Sequence, residues 1–207
     1  MTRIASHPVK LDWTKIKAMV FDLDNTLISS QLNFVWLREQ IGCPPQRDVL
    51  DYVDELPHQQ AQKAHQIVVD HELDDARHSA LMPGAKALLN VLAHEQHHVA
   101  IITRNCQAAA KQKLEQHELT ISPVISREHY AAKPSPDALN ALLERWQLMP
   151  EELIYVGDYV HDLHTAMNAK TPSCLVTNHP MHREFSAYAS LTVNSLDQLI
   201  PYISKHQ

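Results

Sequence analysis

Residues 19–27 read MVFDLDNTL, an apolar strand-like run that passes straight into two carboxylates one residue apart, Asp22 and Asp24, and then a hydroxyl at Thr26. Two half-buried carboxylates repel each other unless a cation lies between them or one holds a proton. The stretch therefore points to a metal, an acid–base pair, or both. A solvated turn that only ends a strand in Asp and Asn is the plainer alternative. A second stretch of the same kind, LIYVGDYVHDLHTA at 153–166, again ends a buried-type strand in acid, with Asp158 and Asp162 four residues apart. A helix beginning near Tyr159 would bring Asp162 back beside Asp158, and Gly157 would allow close backbone approach at that turn.

Outward from these stretches, strand-like runs at 18–23, 99–103, 123–125, 153–157, 173–177 and 191–193 alternate with helical patterns. That alternation predicts an α/β fold, a Rossmann-like three-layer sandwich around a parallel sheet. Pro83-Gly84 opens a helix carrying Leu88, Leu89 and Leu92, and Asn105 is placed to cap the Ala-rich helix after Thr103. Ser135 caps another helix, with Pro136 in its first position and Leu139, Leu142, Leu143 and Trp146 on one stripe. Ser195 and Gln198 form a capping box for a closing helix. Residues 31–82 break the alternation: they read as helices parted by Pro44-Pro45 and Pro57, a small helical cap on a catalytic core of 1–30 and 83–207.

The chain has 207 residues, 44% of them hydrophobic, which suits one substantial core with a small appended domain. A net charge of −6 supplies no basic footprint, so no nucleic-acid partner is expected. No apolar run approaches the roughly 20 residues that span a bilayer, so no membrane partner is expected and the cytoplasm is the expected location. Three widely spaced cysteines, an odd number, read as free thiols. Among 15 histidines, His94-Glu95-Gln96-His97-His98 fits the HExxH zinc pattern, but the next residues enter a strand and no third ligand is evident. These histidines read as surface residues on a last helical turn, and His161 and His164 as an exposed helix start.

The chain resembles the haloacid dehalogenase superfamily of phosphotransferases, in its helical-cap, phosphoglycolate phosphatase-like subgroup, from about Lys17 to Thr177. Four motifs in order carry the resemblance: DxDxT at Asp22, Asp24 and Thr26; a strand-ending Thr103 in VAIITRN; Lys133 in KPSPDAL; and GDxxxD at Gly157, Asp158 and Asp162. Asn25 stands where many members have Gly, a small departure because Asn tolerates left-handed backbone. The resemblance implies a sheet ordered third, second, first, fourth, fifth strand, and a magnesium-dependent phosphatase that hydrolyses a small phosphorylated metabolite. Asp22 would be the nucleophile and Asp24 the acid and base. Thr103 and Lys133 would hold the phosphoryl group, with Thr26, Arg104 and Asn105 also assigned to the substrate. Magnesium would be held by the side chains of Asp22 and Asp158 and the carbonyl of Asp24, with Asp162 acting through water or orienting the site. Asp24 argues against a dehalogenase, which needs no second acid. A sugar-phosphate mutase shares these motifs, and a non-catalytic phosphate- or protein-binding module is the rival from another class. Specificity would lie in the cap, where Asn33, Arg38, Gln40 and His58 are polar candidates.

Overall fold

Every residue of Ala18–Phe21 (β1) is buried, as befits a strand with neighbours on both edges and helices on both faces. The computed structural model describes residues 7–177 and 180–203. Around β1 lie His98–Ile102 (β2), Val124–Ile125 (β3), Leu153–Gly157 (β4), Ser173–Val176 (β5) and Leu191–Val193 (β6). They form one six-stranded sheet in the order β3-β2-β1-β4-β5-β6, with every pairing parallel. The expected five-strand order is thus observed, with the sixth strand on the far edge. Phe21 pairs with Ile101 on one side and Val156 on the other, so Asp22, Thr103 and Asp158 all leave the sheet at its carboxyl edge. Strand order reverses direction about β1, the switch point where α/β sheets open a crevice.

Side chains of β1 alternate between two cores. Met19 and Phe21 pack with Leu88 and Leu92 of Ala85–His94 (α4) and Leu114 of Gln107–Gln116 (α5). Ala18 and Val20 pack on the other face with Leu139, Leu142 and Leu143 of Asp137–Trp146 (α6) and Ala166 of Val160–Ala169 (α7). Full burial of a side chain such as Phe21 stabilises the fold by about 1.5–3 kcal/mol.

Between β1 and α4 the chain forms three helices, Phe34–Ile41 (α1), Val49–Asp54 (α2) and His58–Arg77 (α3). Asn33 caps α1 by accepting from Trp36 N–H, Gly42 ends it in left-handed backbone, and Asp48 caps α2 through Leu50 and Asp51 N–H. Leu37, Val49 and Val68 give these helices a small core of their own. The longest, α3, lies along α5.

Several expected caps are displaced. The helix after β2 begins at Gln107, and Cys106 Sγ, not Asn105, accepts from Ala109 N–H. Asn105 is instead buried, with its N–H donating to Thr103 Oγ1. Ser135 Oγ accepts from Asp137 N–H, so α6 begins one residue later than expected, with Pro136 at its cap. Ser195 makes no side-chain cap bond, and Gln198 Oε1 accepts from Asn194 N–H, a residue earlier than a capping box requires. His94 ends α4, Gln96 turns through left-handed backbone (φ 56°), and His98 begins β2, where it stacks on Trp146. The HExxH stretch therefore does not lie on one helix. Cys43, Cys106 and Cys174 are free and buried. No helix among the described residues is long and apolar enough to cross a membrane.

Candidate active site

Asp22 is the first residue past β1, and its N–H donates to Val156 O at 2.8 Å, which fixes it against β4. Lys133 Nζ donates to Asp22 Oδ1 and, at 2.7 Å, to Asp162 Oδ1. Asp162 sits in the first turn of α7, where the helix dipole favours a carboxylate. Its Oδ2 accepts from Tyr159 N–H at 3.1 Å, and its Oδ1 also accepts from Tyr155 Oη at 3.2 Å. Both oxygens are thus engaged, and Asp162 serves to orient Lys133. Gly157 makes room for this: a Cβ there would lie 2.3 Å from Asp162 Cγ.

Asp22, Asp158 and Asp162 each offer a carboxylate oxygen, and these atoms lie within 4.8 Å of one another, all on buried residues. Against three carboxylates stands one ammonium, Lys133, which leaves two negative charges in a buried space. Oxygen donors with that charge deficit fit a hard divalent cation. Burial pushes the Asp22 carboxyl well above the ordinary range, Lys133 opposes the rise, and Asp162 and Asp158 add to it. Burial also raises Asp158, against the pull of His182, whose Nδ1 lies 3.4 Å from Asp158 Oδ2. His182 is raised in turn, chiefly by that contact. For Lys133 burial works against the ammonium, yet Asp162 and Asp22 outweigh it and hold the group well above the ordinary lysine value.

The carboxylate of Asp24 lies outside that group. Its Oδ1 accepts from Lys113 Nζ, and Lys113, completely buried on α5, also donates to Asp75 Oδ2 of α3 at 2.6 Å. Asp75 accepts from Gln31 N–H at 2.6 Å and from Ser30 Oγ at 2.9 Å, where the chain enters the helical insert. Burial raises Asp24 despite the opposing charge of Lys113. Two further ion pairs join insert to core: Arg127 with Glu72, and Arg104 with Asp48 at 2.6 Å. For Asp48, burial pushes the carboxyl up, but the hydrogen bond and charge of Arg104 outweigh it and hold it below the ordinary value.

A cavity of about 520 Å³ opens over the carboxyl edge of the sheet, lined by Asp22, Asp24, Thr103, Lys133, Asp158 and Asp162 from the core and by Leu37, Arg38, Val49 and Val68 from the insert. Arg104 and Asn105 line it as well, and Asn105 Nδ2 is buried without a hydrogen-bond partner. Thr26, expected at the substrate, is absent from the lining: it is fully buried beneath the turn, with no hydrogen-bond partner for Oγ1. Of the polar candidates in the insert, Arg38 lines the cavity, whereas Asn33, Gln40 and His58 do not. His161 lines it too, while His164 packs edge-on against Tyr188.

Sequence reasoning missed Lys113, Asp75, Glu72 and Arg127. A signal for three of them was present, since Glu72 and Asp75 fall on the same helical stripe as Ala64, Val68 and Ala76, and Lys113 on that of Ala109, Ala110 and Leu114. Charges on an otherwise small and apolar stripe mark buried pairs.

The sequence pattern of the family described as haloacid dehalogenase-like hydrolase matches residues 35–176, so the match begins after Asp22 and Asp24. A haloacid dehalogenase-like hydrolase domain-containing protein of Arabidopsis thaliana is 29% identical over 160 residues, which cover 72% of this chain and 65% of that protein. A phosphoglycolate phosphatase of Vibrio cholerae is 31% identical over 183 residues, covering 74% of this chain and 81% of that one. Among solved structures, a hydrolase from Pseudomonas syringae superposes with a TM-score of 0.76 at 19% identity, over 91% of this chain and 98% of that chain.

Proposed function

This chain belongs to the haloacid dehalogenase-like hydrolase family, and from that premise we propose that it is a phosphatase acting on a small phosphate monoester. The observation that carries the reading is the buried Asp22, clamped by Lys133 inside a carboxylate group two charges short of balance. A phosphate dianion entering beside these carboxylates would meet more repulsion than the Lys133 ammonium offsets. Asp22, Asp158 and the Asp24 carbonyl would hold a magnesium ion, which would supply the missing positive charge when bound.

Asp22 attacks phosphorus, the bond from phosphorus to the ester oxygen breaks, and an aspartyl-phosphate forms. Asp24 donates a proton to the leaving alcohol, then takes one from the water that hydrolyses the intermediate. Lys133 holds Asp22 in line and, with Thr103 and Asn105, donates to the phosphoryl oxygens. The buried, unpartnered Asn105 Nδ2 is a donor waiting for such an acceptor. The three insert helices act as a cap whose apolar wall and Arg38 face the rest of the substrate. Several relatives are named phosphoglycolate phosphatase, and a small phosphorylated acid suits a cavity carrying Arg38 and Arg104.

Phosphate release from a panel of phosphorylated metabolites, phosphoglycolate first, tests the reading. Turnover should require magnesium, stop with chelator and return when magnesium is restored. Release of no phosphate from any ester, or full turnover in chelator, would overturn it.

A further inference from the structure

The buried lysine of α5 has no part in the scheme above. Burying an ammonium is costly unless it is paired, and Lys113 is paired twice, with Asp24 and Asp75. The two partners differ. The Asp75 side chain is 4% exposed and tied to Ser30 and Gln31 at the entrance to the insert, whereas the Asp24 side chain is 21% exposed and lines the cavity. The enclosed carboxylate anchors the lysine, and the lysine orients the open one. The backbone beside Asp24 is tied to the same place, since Asn25 Oδ1 accepts from Ser30 N–H at 2.9 Å.

We propose that Lys113 is a positioning residue for Asp24, pinning carboxylate oxygen Oδ1 to the base of the helical insert and leaving Oδ2 to exchange a proton with the leaving group and then with water. The proposal rests on the phosphatase reading. It makes the seating of the insert and the placement of the acid a single event, because one ammonium holds both.

Lys113→Met keeps the unbranched stem of the side chain and removes the ammonium. The KM for an alkyl phosphate should stay within about threefold, while kcat falls about 10- to 100-fold, part of the usual contribution of a general acid. With p-nitrophenyl phosphate, whose leaving group needs little protonation, the single-turnover phosphorylation rate should fall less than about threefold, against about 10- to 100-fold with the alkyl phosphate, while hydrolysis of the shared aspartyl-phosphate slows alike for both. A purely structural lysine predicts equal losses in the phosphorylation step of the two substrates, and that result, or no loss on either, would overturn the proposal. Since Lys113→Met leaves the buried Asp75 and the half-buried Asp24 without their cation, Asp75→Asn serves as a second variant. It retains the ammonium, loosens its anchor, and should show the same leaving-group dependence at about 3- to 10-fold. The ¹⁵N signal of the Lys113 ammonium in the full chain supplies a readout independent of turnover. It should shift in both Asp24→Asn and Asp75→Asn, and indifference to Asp24→Asn would overturn the pairing. A responsive signal in a protein that hydrolyses no phosphate ester would overturn the phosphatase reading, and with it the catalytic meaning of the pairing, but not the pairing.

Discussion

Two buried lysines, Lys133 and Lys113, are held in the same way: each donates to one carboxylate of the DxD pair and to one from a helix. Their surroundings differ. Lys133 stands in a group with a third carboxylate, Asp158, and the charge is left unbalanced at the cavity. Lys113 faces two carboxylates, Asp24 and Asp75, so less charge is left over there, and the remaining bonds of Asp75 run to the entrance of the insert. The same ion-pair chemistry thus builds a reactive centre on one side of Leu23 and a joint on the other. What decides the role is the charge left over, not the pair itself.

Removing the negative charge at the reactive side should have the largest effect. Asp22→Asn preserves shape but deletes the proposed nucleophile, so turnover should fall below detection in a phosphate-release assay while the circular dichroism spectrum and melting profile stay native-like. Residual turnover near that of wild type would erase the distinction between the two sides.

On the other side, Asp24→Asn should lower kcat about 10²- to 10⁴-fold with an alcohol leaving group, and less in the phosphorylation step with p-nitrophenyl phosphate. Single-turnover measurements on both esters separate acid catalysis from mere placement of phosphate. Lys133→Met should cost about 10²- to 10³-fold in kcat on both esters alike, since a donor to the phosphoryl oxygens serves every leaving group. That uniform loss, set against the selective loss expected at Asp24, is the sharpest kinetic contrast between the two sides.

The smallest effect lies at the outer ion pair. Arg104 holds Asp48 below its ordinary value of 3.8. A carboxyl depressed in the folded state adds stability that is complete above its unfolded value and is lost as pH falls through the folded one. Asp48→Asn retains the helix cap, because Asn caps as well as Asp, and so isolates the charge. With side chains 25% and 31% exposed, the pair is worth about 0.5–1 kcal/mol. Urea unfolding should show that deficit at neutral pH and none in acid. A deficit that persists in acid would assign the effect to packing.

The carboxyl edge of the sheet was legible because most residues of the candidate site there end a strand or open a helix, where a run of apolar side chains meets a polar group. Asp22, Thr103 and Asp158 all stand just past strands, and the sheet order that the family resemblance implied brings them together. Lys113 and Asp75 were not legible in the same way. They lie inside helices among charged neighbours, Lys111 and Glu115 in one case and Asp74 and Arg77 in the other, where a charge usually marks a solvated face. The helical stripes of small and apolar residues on which they fall hint at burial, but their pairing comes from helices α3 and α5 lying together, a long-range fact that the stripes do not state. Thr26 shows the opposite failure: a motif position placed it at the substrate, but the turn after Asp24 folds its side chain beneath the surface.

Gly157 carries a consequence for how such a protein can change over generations. Any side chain at this position would strike Asp162 within 2.4 Å, and Asp162 in turn sets the direction of Lys133. No graded series of mutants leads away from glycine here: alanine, the least possible step, already displaces the carboxylate. Tyr159, two residues along and 42% exposed, can drift through many identities and alter what the cavity accepts. A saturation library over 157 to 159 should therefore recover glycine alone at the first position and a broad spectrum at the third, so that new substrates are reached by paths that leave the reactive aspartate's support untouched.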